Sequence, residues 1–397
     1  MTEELLNSWV NAVNHILWDY LLIYGLIGIG LFFTLYLGVP QITRFGEGMK
    51  QVFGGLFQKR EGGKDQKSLS SFQALAVAIS AQIGTGNVAG VATAITAGGP
   101  GAIFWMWVVA LVGMATSYFE CSLAQLYKRA EDDGTYRGGP AFYIQHGLGQ
   151  RWLGIVVSLL LLVTFGFGFN AVQSFTVASS MYDTFGLPTY ISGIVLMVVI
   201  GLIIFGGIKR IAKFADVLVP VMAFSYIGMA LFVIGSNVEA IPATLMLIVK
   251  SAFGLDAGFG AILGLAIMWG VKRGVYSNEA GQGTGPHAAA AAEVSHPAKQ
   301  GLVQAFSVYV DTLFVCSATA FMLLITGQYN VQDGAGKAIY TGIAGVAAGP
   351  GYVQTAMENI MPGFGNLFVA LALFFFAFTT IIAYYYIAET NIAYINR

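Results

Sequence analysis

The feature that most constrains this chain is a pair of glycines in the middle of an apolar segment long enough to cross a membrane. The segment covers residues 71–97, and Gly84 and Gly86 lie at its centre within the sequence AQIGTGN. Each glycine costs a helix about 1 kcal/mol relative to alanine. In hydrocarbon, peptide groups released by a broken helix are tolerated only where they line a protein cavity or hold a ligand. Freed carbonyls can coordinate a cation and freed amides can hold a carboxylate, so this segment predicts a binding site halfway across a membrane.

The composition restricts the class of protein. Hydrophobic residues make up 56% of the 397 residues and charged residues only 10%. A soluble protein carries nearer a quarter charged residues, so the chain is predicted to be a multi-pass membrane protein embedded in a lipid bilayer. The net charge of -1 gives no support for a nucleic-acid partner.

The apolar segments can be drawn as nine candidate spans. They are residues 20–37, 71–97, 102–127, 152–182, 190–208, 214–234, 259–292 (interrupted), 302–325 and 367–386. Before them, residues 5–17 alternate apolar and polar side chains, and the segment 1–16 is predicted to lie along the membrane interface.

The basic residues are distributed unevenly over the connecting segments. If the N-terminus is outside the cell, fifteen of them lie inside and two, Lys250 and Lys337, lie outside, while Lys272 and Arg273 fall within an interrupted span and are not counted. The inside residues are Arg44, Lys50, Lys59, Arg60, Lys64, Lys67, Lys128, Arg129, Arg137, Arg151, Lys209, Arg210, Lys213, Lys299 and Arg397. Because cytoplasmic loops are enriched in lysine and arginine, we expect a plasma-membrane protein with its N-terminus outside and its C-terminus inside.

The seventh span contains a second predicted interruption. Residues 259–270 are apolar, and the stretch from Met268 to Gly281 mixes glycines with charged residues. We expect a short helix, a break within residues 267–275 and a second short helix. Two broken helices in corresponding halves of a chain are typical of transporters with inverted repeats. The alternative is that the glycines permit close packing of continuous helices.

Several polar side chains lie within the spans. Gln82 and Asn87 flank the first break, where amide groups can bind sodium or a substrate. Gln173 and its neighbour Asn170 either contribute to a site or form an interhelical hydrogen bond worth about 0.6 kcal/mol. Adjacent threonines 379 and 380 could supply hydroxyl ligands to a cation, although threonine in membrane helices usually bonds back to a preceding carbonyl.

Ionisable residues within the membrane are candidates for function by default. Here they are Glu120, Lys272, Arg273, Glu279 and Asp311. Lys272 or Arg273 could pair with Glu279 or Asp311 as an inner gate, or such a pair could only orient helices. No HExxH, CxxC or phosphate-loop pattern is present, so the sequence does not predict an enzyme or an ATP-driven pump.

Four motifs carry a resemblance to a known family. They are GTGNVAGVATAITAGGPGAIFWMWVVALVGMAT at 84–116, AIMWGVKRGVYSNEAGQGTGPHAAAAA at 266–292, GGPAFYIQHGLG at 138–149 and FAFTT at 376–380. With these motifs the chain resembles the alanine or glycine:cation symporters, also called sodium:alanine symporters or amino acid carrier proteins, from about residue 15 to its end. The resemblance implies sodium-coupled uptake of a small neutral amino acid, alanine or glycine, by alternating access, and no organic cofactor or obligate protein partner. Proton coupling stays open.

The resemblance also implies an all-α integral membrane protein with a LeuT-type fold in a single transporter domain. An extra helix at 17–38 would precede two inverted repeats, at 71–236 and 256–396. The second repeat would have three of its five helices, giving nine spans where eleven are expected. We therefore expect a chain truncated at its C-terminus, which could be an inactive fragment.

The same resemblance implies the residues of the site. The substrate carboxylate would meet the backbone around Gly84, Thr85 and Gly86, with Asn87 as a further ligand of substrate or cation. Gln173, Met268, Trp269 and Gly270 would surround the ammonium and side chain, and Phe175 would add bulk that excludes larger substrates. Sodium would lie among the carbonyl oxygens of Ser80, Ile83 and Phe376 and the hydroxyls of Thr379 and Thr380.

Overall fold

The structure of the chain, a computed structural model, describes residues 3–57 and 68–396. Helices dominate these residues. In chain order the first twelve are α1 (Glu3–Asn14), α2 (Ile23–Tyr36), α3 (Pro40–Thr43), α4 (Phe45–Phe57), α5 (Ser71–Gln82), α6 (Ala89–Gly98), α7 (Gly101–Leu126), α8 (Pro140–Leu148), α9 (Arg151–Val163), α10 (Phe169–Phe185), α11 (Thr189–Ile204) and α12 (Gly207–Ser236). The remaining seven are α13 (Ile241–Ala252), α14 (Leu263–Asn278), α15 (Gly285–Ala291), α16 (Pro297–Val308), α17 (Ser317–Thr326), α18 (Pro350–Ile360) and α19 (Gly365–Ile395).

Shorter elements complete the description. Turns of 3₁₀ helix cover Thr85–Asn87, Val238–Ala240 and Gly260–Ile262, and π-helical segments cover His15–Leu22, Thr164–Gly168 and Tyr309–Cys316. Two antiparallel hairpins lie in connecting segments: β1 (Arg129–Ala130) with β2 (Tyr136–Arg137), and β3 (Asn330–Gln332) with β4 (Ala338–Thr341).

Six helical stretches of the described residues are long and apolar enough to cross a membrane. They are Glu4–Tyr36, Gly101–Leu126, Arg151–Phe185, Gly207–Ser236, Pro297–Thr326 and Gly365–Ile395. The pair Ser71–Gln82 and Thr85–Gly98, bent by 59°, makes a seventh if it is one span. The predicted number of nine is therefore not confirmed, because α11 has only 16 residues and the segment 259–292 is divided between α14 and α15.

The outer surface has the character expected in lipid. On α11 the apolar side chains Tyr190, Ile194, Val198 and Leu202 follow one another at intervals of four residues and are all more than half exposed. Residues four apart in a helix lie on one face, so α11 presents an apolar stripe outward while polar groups such as Asp311 are fully buried. This is a multi-pass integral membrane architecture.

The first predicted interruption is confirmed. Helix α5 begins with a capping box in which Ser70 Oγ accepts from the Gln73 amide, and it ends at Gln82. Ile83 and Gly84 have extended backbone torsions, and a single 3₁₀ turn over Thr85–Asn87 follows before α6 begins.

The second interruption was placed wrongly. Helix α14 is continuous through residues 267–275, and the break lies at residues 279–284, where Gly281 and Gly283 have positive φ angles of 84° and 85°. Gly270 and Gly274 instead allow α14 to approach α7 closely. A Cβ atom at Gly270 would lie 2.5 Å from the Ala102 carbonyl oxygen, and one at Gly274 would lie 2.3 Å from a Val109 methyl. The alternative interpretation of these two glycines, close packing, is thus correct.

Two further predictions concern the N-terminal helical stretch and the basic residues used to orient the chain. Residues Glu4–Tyr36 form one helical stretch with a π-helical segment at His15–Leu22, and the division into an interfacial segment 1–16 and a helix 17–38 stays a prediction. The sequence explains the continuity of the stretch, because no glycine or proline occurs before Gly25. Of the basic residues used to predict orientation, Lys59, Arg60, Lys64, Lys67 and Arg397 lie outside the described residues.

Candidate functional site at the helix break

The two broken segments meet, as predicted. A Cβ atom built on Gly86 would lie 3.2 Å from the ring of Tyr276 and 3.6 Å from Cα of Ser277. Gln82 Nε2 donates to the Asn278 carbonyl at 2.9 Å. The residues of α14 that contact the first break are therefore in its last turn, about two turns later in the chain than Met268–Gly270.

The backbone at the break is held by side chains. The Thr85 amide donates to Gln173 Oε1 of α10 at 3.0 Å, and the Gly84 amide donates to Asn87 Oδ1 at 2.9 Å. Gln173 is 2% exposed and Asn87 is completely buried. Asn170, by contrast, donates back to the Gly166 carbonyl of its own helical turn.

The predicted cation ligands converge on Thr380. Its hydroxyl lies 3.0 Å from the Ser80 carbonyl oxygen, 3.2 Å from that of Ile83 and 2.9 Å from that of Phe376. Thr379 Oγ lies 2.9 Å from the same Phe376 oxygen and 3.8 Å from Met222 Sδ. A hydroxyl has one proton to donate, so at least two of the three carbonyls around Thr380 receive no hydrogen bond from it. The cluster is therefore rich in acceptor oxygens, which is the chemistry that a small cation requires.

A second polar cluster surrounds the buried carboxyl of Asp311. Asn87 Nδ2 lies 2.6 Å from Asp311 Oδ1, while the hydroxyls of Ser277 and Thr312 lie 2.8 and 2.7 Å from Oδ2. Thr319 donates to the Asn87 carbonyl at 2.6 Å. This cluster connects the 3₁₀ turn to α14, to the π-helical segment 309–316 and to α17.

Sequence reasoning missed the hydroxyl members of this cluster. Ser277, Thr312 and Thr319 are small residues of a kind that is common wherever membrane helices pack, so nothing in their spacing marked them. The one signal was the charge of Asp311, since an ionisable group in the membrane has to find buried partners.

Glu279 lies at the second break and has the left-handed φ of 54° that non-glycine residues rarely adopt. Its Oε1 accepts a hydrogen bond from the Tyr384 hydroxyl of α19. Glu120 Oε1 accepts from the Gly281 amide at 3.1 Å. The predicted gate, in which Lys272 or Arg273 pairs with Glu279 or Asp311, is not formed among the described residues.

The geometry of α14 explains why Lys272 and Arg273 do not pair with Glu279. Because α14 is continuous, Arg273 and Lys272 lie six and seven positions before Glu279, a rise of about 9 and about 10.5 Å. Arg273 instead lies over the Trp269 and Tyr276 rings, 5.1 and 5.8 Å from their centroids.

The remaining predicted residues do not reach the break. Met268 packs in an apolar cluster with Ile23 and Val109, and Gly270 contacts α7. Phe175 is 71% exposed, so it adds no bulk to the site. It follows Gln173 by two residues, a turn of about 200° around the helix, so the two side chains point to opposite sides.

Above the break lies a cavity of about 420 Å³ between the N-terminal helical stretch and α14. Its lining residues are Asn11, Asn14, His15, Trp18, Phe169, Trp269, Lys272, Arg273 and Tyr276. Tyr276 thus contacts both the cavity and Gly86.

The sodium:alanine symporter family matches residues 3–397. The chain belongs to this family. Its members are transporters, and the chain is accordingly a transporter of the membrane rather than an enzyme.

Three relatives show the extent of the similarity. YrbD of Bacillus subtilis (strain 168) is 54% identical over 98% of this chain and 79% of its own length. The sodium/proton-dependent alanine carrier protein of Bacillus sp. (strain PS3) is 51% identical over 85% of this chain and 75% of its own length. The sodium/alanine symporter AgcS of Methanococcus maripaludis is 41% identical over 98% of this chain and 83% of its own length.

Proposed function

We propose that this chain couples the entry of sodium to the uptake of a small neutral amino acid, alanine or glycine, by alternating access. The observation that carries the proposal is the acceptor-rich cluster around Thr380, which joins α5 at its break to α19. The names of two relatives, a sodium/alanine symporter and a sodium/proton-dependent alanine carrier, agree with it.

Sodium in this proposal is bound by the carbonyl oxygens of Ser80, Ile83 and Phe376 and by the hydroxyls of Thr379 and Thr380. Each carbonyl is already oriented toward the Thr380 hydroxyl, so a cation would need little backbone rearrangement. Unwound carbonyls at a broken membrane helix are a recurrent way to bind a coupling ion.

The amino acid is proposed to bind beside this cation. Its carboxylate accepts from backbone amides around Gly84, Thr85 and Gly86. It displaces the Asn87 and Gln173 oxygens that accept from the Gly84 and Thr85 amides in this structure, and both side chains stay as polar neighbours. Tyr276 and Ser277 form the α14 side of the site, because they lie next to Gly86. In this proposal they take the role first predicted for Met268, Trp269 and Gly270. The tight approach of Tyr276 leaves room for only a small side chain.

The fold proposed for this mechanism is the LeuT type. An extra N-terminal helix within 17–38 precedes inverted repeats at 71–236 and 256–396, whose first helices are the two broken ones. The contacts of Gln82 and Gly86 with the end of α14 support this arrangement, because inverted-repeat carriers bind their substrates between such broken helices. We further propose that the protein lies in the plasma membrane with its N-terminus outside and its C-terminus inside.

The energy for uptake comes from the sodium gradient. One sodium ion that crosses about 100 mV releases roughly 2.3 kcal/mol, and a tenfold concentration gradient adds about 1.4 kcal/mol. Together these supply about 3.7 kcal/mol, enough for roughly 500-fold accumulation at one-to-one coupling.

Proteoliposomes that contain the purified protein test the proposal. Labelled alanine or glycine should accumulate above its external concentration when a sodium gradient is imposed, and replacement of external sodium by choline should abolish accumulation. Uptake that is only downhill, or that ignores sodium, would contradict the symport mechanism.

A proton-coupled symporter is the second candidate. It is favoured by the buried carboxyls of Glu279 and Asp311, neither of which is paired with a cation among the described residues, and by the phrase sodium/proton-dependent in a relative's name. Accumulation driven by an inward proton gradient in sodium-free liposomes would support this candidate.

A further inference from the structure

Cationic side chains are among the described residues that line the cavity above the break. Two cations, Lys272 and Arg273, line it. Arg273 forms no ion pair with any described side chain, and its Nε atom is buried without a hydrogen-bond partner. A partly buried cation without an acidic partner among the described residues leaves a group that can bind an anion.

Aromatic rings fix the position of this guanidinium. The Trp269 ring centroid lies 5.1 Å from Arg273 Cζ and the Tyr276 centroid 5.8 Å, distances at which a cation is attracted to the ring faces. A guanidinium held in this way presents a rigid pair of N–H groups, which matches the two oxygens of a carboxylate.

The cavity is separated from the break by two rings. Tyr276 and Phe169 both line the cavity, and their ring centroids are 5.0 Å apart. The same Tyr276 ring would lie 3.2 Å from a Cβ atom on Gly86. A molecule in the cavity is therefore one aromatic layer away from the backbone of the break.

The size and walls of the cavity fit a small zwitterion. Its volume of about 420 Å³ is within the usual range for small-molecule sites. Beside the two cations it offers the side-chain amides of Asn11 and Asn14 and the ring of Trp18. Amide groups can bond to either end of an amino acid, whereas the guanidinium selects the carboxylate.

We propose that this cavity is a second amino-acid site, in which Arg273 binds the carboxylate of the neutral substrate before the substrate passes Phe169 and Tyr276 to reach the break. This inference rests on the proposed transport function. It assigns Arg273 a role in substrate capture, distinct from the gate first predicted for it.

Kinetics of the Arg273→Gln and Arg273→Lys variants in proteoliposomes test the inference. Loss of the charge in Arg273→Gln should raise the KM for alanine about tenfold with little change in the maximal rate, and Arg273→Lys should restore most of the affinity. Lys250→Gln is the matched control, because Lys250 is an exposed cation of α13 that does not line the cavity. It should leave KM unchanged.

A second measurement separates capture from a structural role. At constant sodium, added choline chloride should raise the KM of the wild-type protein by screening the attraction of the carboxylate, and this dependence should be lost in Arg273→Gln. Inhibition by alaninamide, which lacks the carboxylate, should be equal in the wild type and in Arg273→Gln.

The outcomes are distinguishable. If the wild type shows sodium-driven uptake but Arg273→Gln has an unchanged KM and an unchanged salt dependence, the second site is refuted while the transport proposal stands. If Arg273→Gln does not fold, as judged by gel filtration, the salt dependence of the wild type and the KM of Arg273→Lys decide. A wild-type KM that is independent of salt then refutes the inference.

Discussion

The hydroxyl of Thr380 lies 3.0 Å from the carbonyl oxygen of Ser80, although 300 residues separate them in the chain. This contact joins α19 to the end of α5, one turn before its backbone becomes extended. Because Thr380 also approaches the Ile83 and Phe376 carbonyls, a single hydroxyl connects a broken helix to an unbroken one. A cation at this point would link the conformation of the break to the position of α19.

Removal of the Thr380 hydroxyl tests this connection. Thr380→Ala should raise the sodium concentration for half-maximal alanine uptake about tenfold, equivalent to about 1.4 kcal/mol of binding free energy. Thr380→Ser keeps the oxygen and should stay within about threefold of the wild type, a difference of about 0.7 kcal/mol. Thr326→Ala is the control, since its hydroxyl bonds back to Met322 and Leu323 on α17 and accepts from the Gln328 amide, with no contact to the break. An unchanged sodium activation curve in Thr380→Ala would remove this residue from the site.

Because the Tyr276 ring lies close to Gly86, alanine substitutions at Gly86 and at Gly90 should have different effects on uptake. In Gly86→Ala the new methyl would lie 3.2 Å from the Tyr276 ring, so alanine uptake should fall at least tenfold. In Gly90→Ala, one turn away on α6, a Cβ atom would meet nothing within 4 Å, so uptake should be retained. Equal uptake by the two variants, at equal amounts of folded protein, would show that Tyr276 does not confine the substrate.

The Asp311 cluster predicts a loss of stability. Asp311 accepts hydrogen bonds from Asn87, Ser277 and Thr312. In Asp311→Asn an NH₂ group replaces one carboxyl oxygen, so a hydrogen-bond donor then faces the donor groups of these neighbours. Thermal unfolding in detergent should show destabilisation by about 1–3 kcal/mol. The exposed Asp183→Asn is the matched control and should change stability by less than about 0.5 kcal/mol. A stable Asp311→Asn protein would mean that the donors reorient around the amide.

The close packing of α14 on α7 predicts that alanine at Gly274 lowers the stability of the protein, whereas alanine at Gly264 does not. In Gly274→Ala the new methyl would overlap Val109 at 2.3 Å, so the variant should lose about 1–3 kcal/mol of stability. Gly264→Ala occupies an exposed position of the same helix with nothing within 4 Å, and should gain up to about 1 kcal/mol from helix propensity. Parallel thermal melts of the two variants measure the contrast. A neutral Gly274→Ala would mean that α14 and α7 can separate without cost.

The sequence predicted the first break correctly because its signal is local. Gly84 and Gly86 lie two positions apart, and each weakens the helix by itself. The sequence misplaced the second break because Gly270 and Gly274 carry the same local signal for a different reason, the approach of α7. The glycines that form the turn, Gly281 and Gly283, follow the predicted break at 267–275 within the same interrupted span. Helix propensity is a property of a few neighbouring residues, whereas close packing depends on a partner helix that is distant in sequence.

The amino-acid sequence by itself determined that this chain lies in a membrane, that one helix breaks at Gly84–Gly86, and which family it resembles. Only the tertiary structure decided that Thr380 faces Ser80, that Asn87 bonds Asp311, and that Arg273 lies in a cavity with Trp269 instead of pairing with Glu279. The physical reason is the range of the interactions. Hydrophobicity and backbone preference act along the chain, but a buried polar group takes its partners from whichever helices the packing brings within about 3 Å.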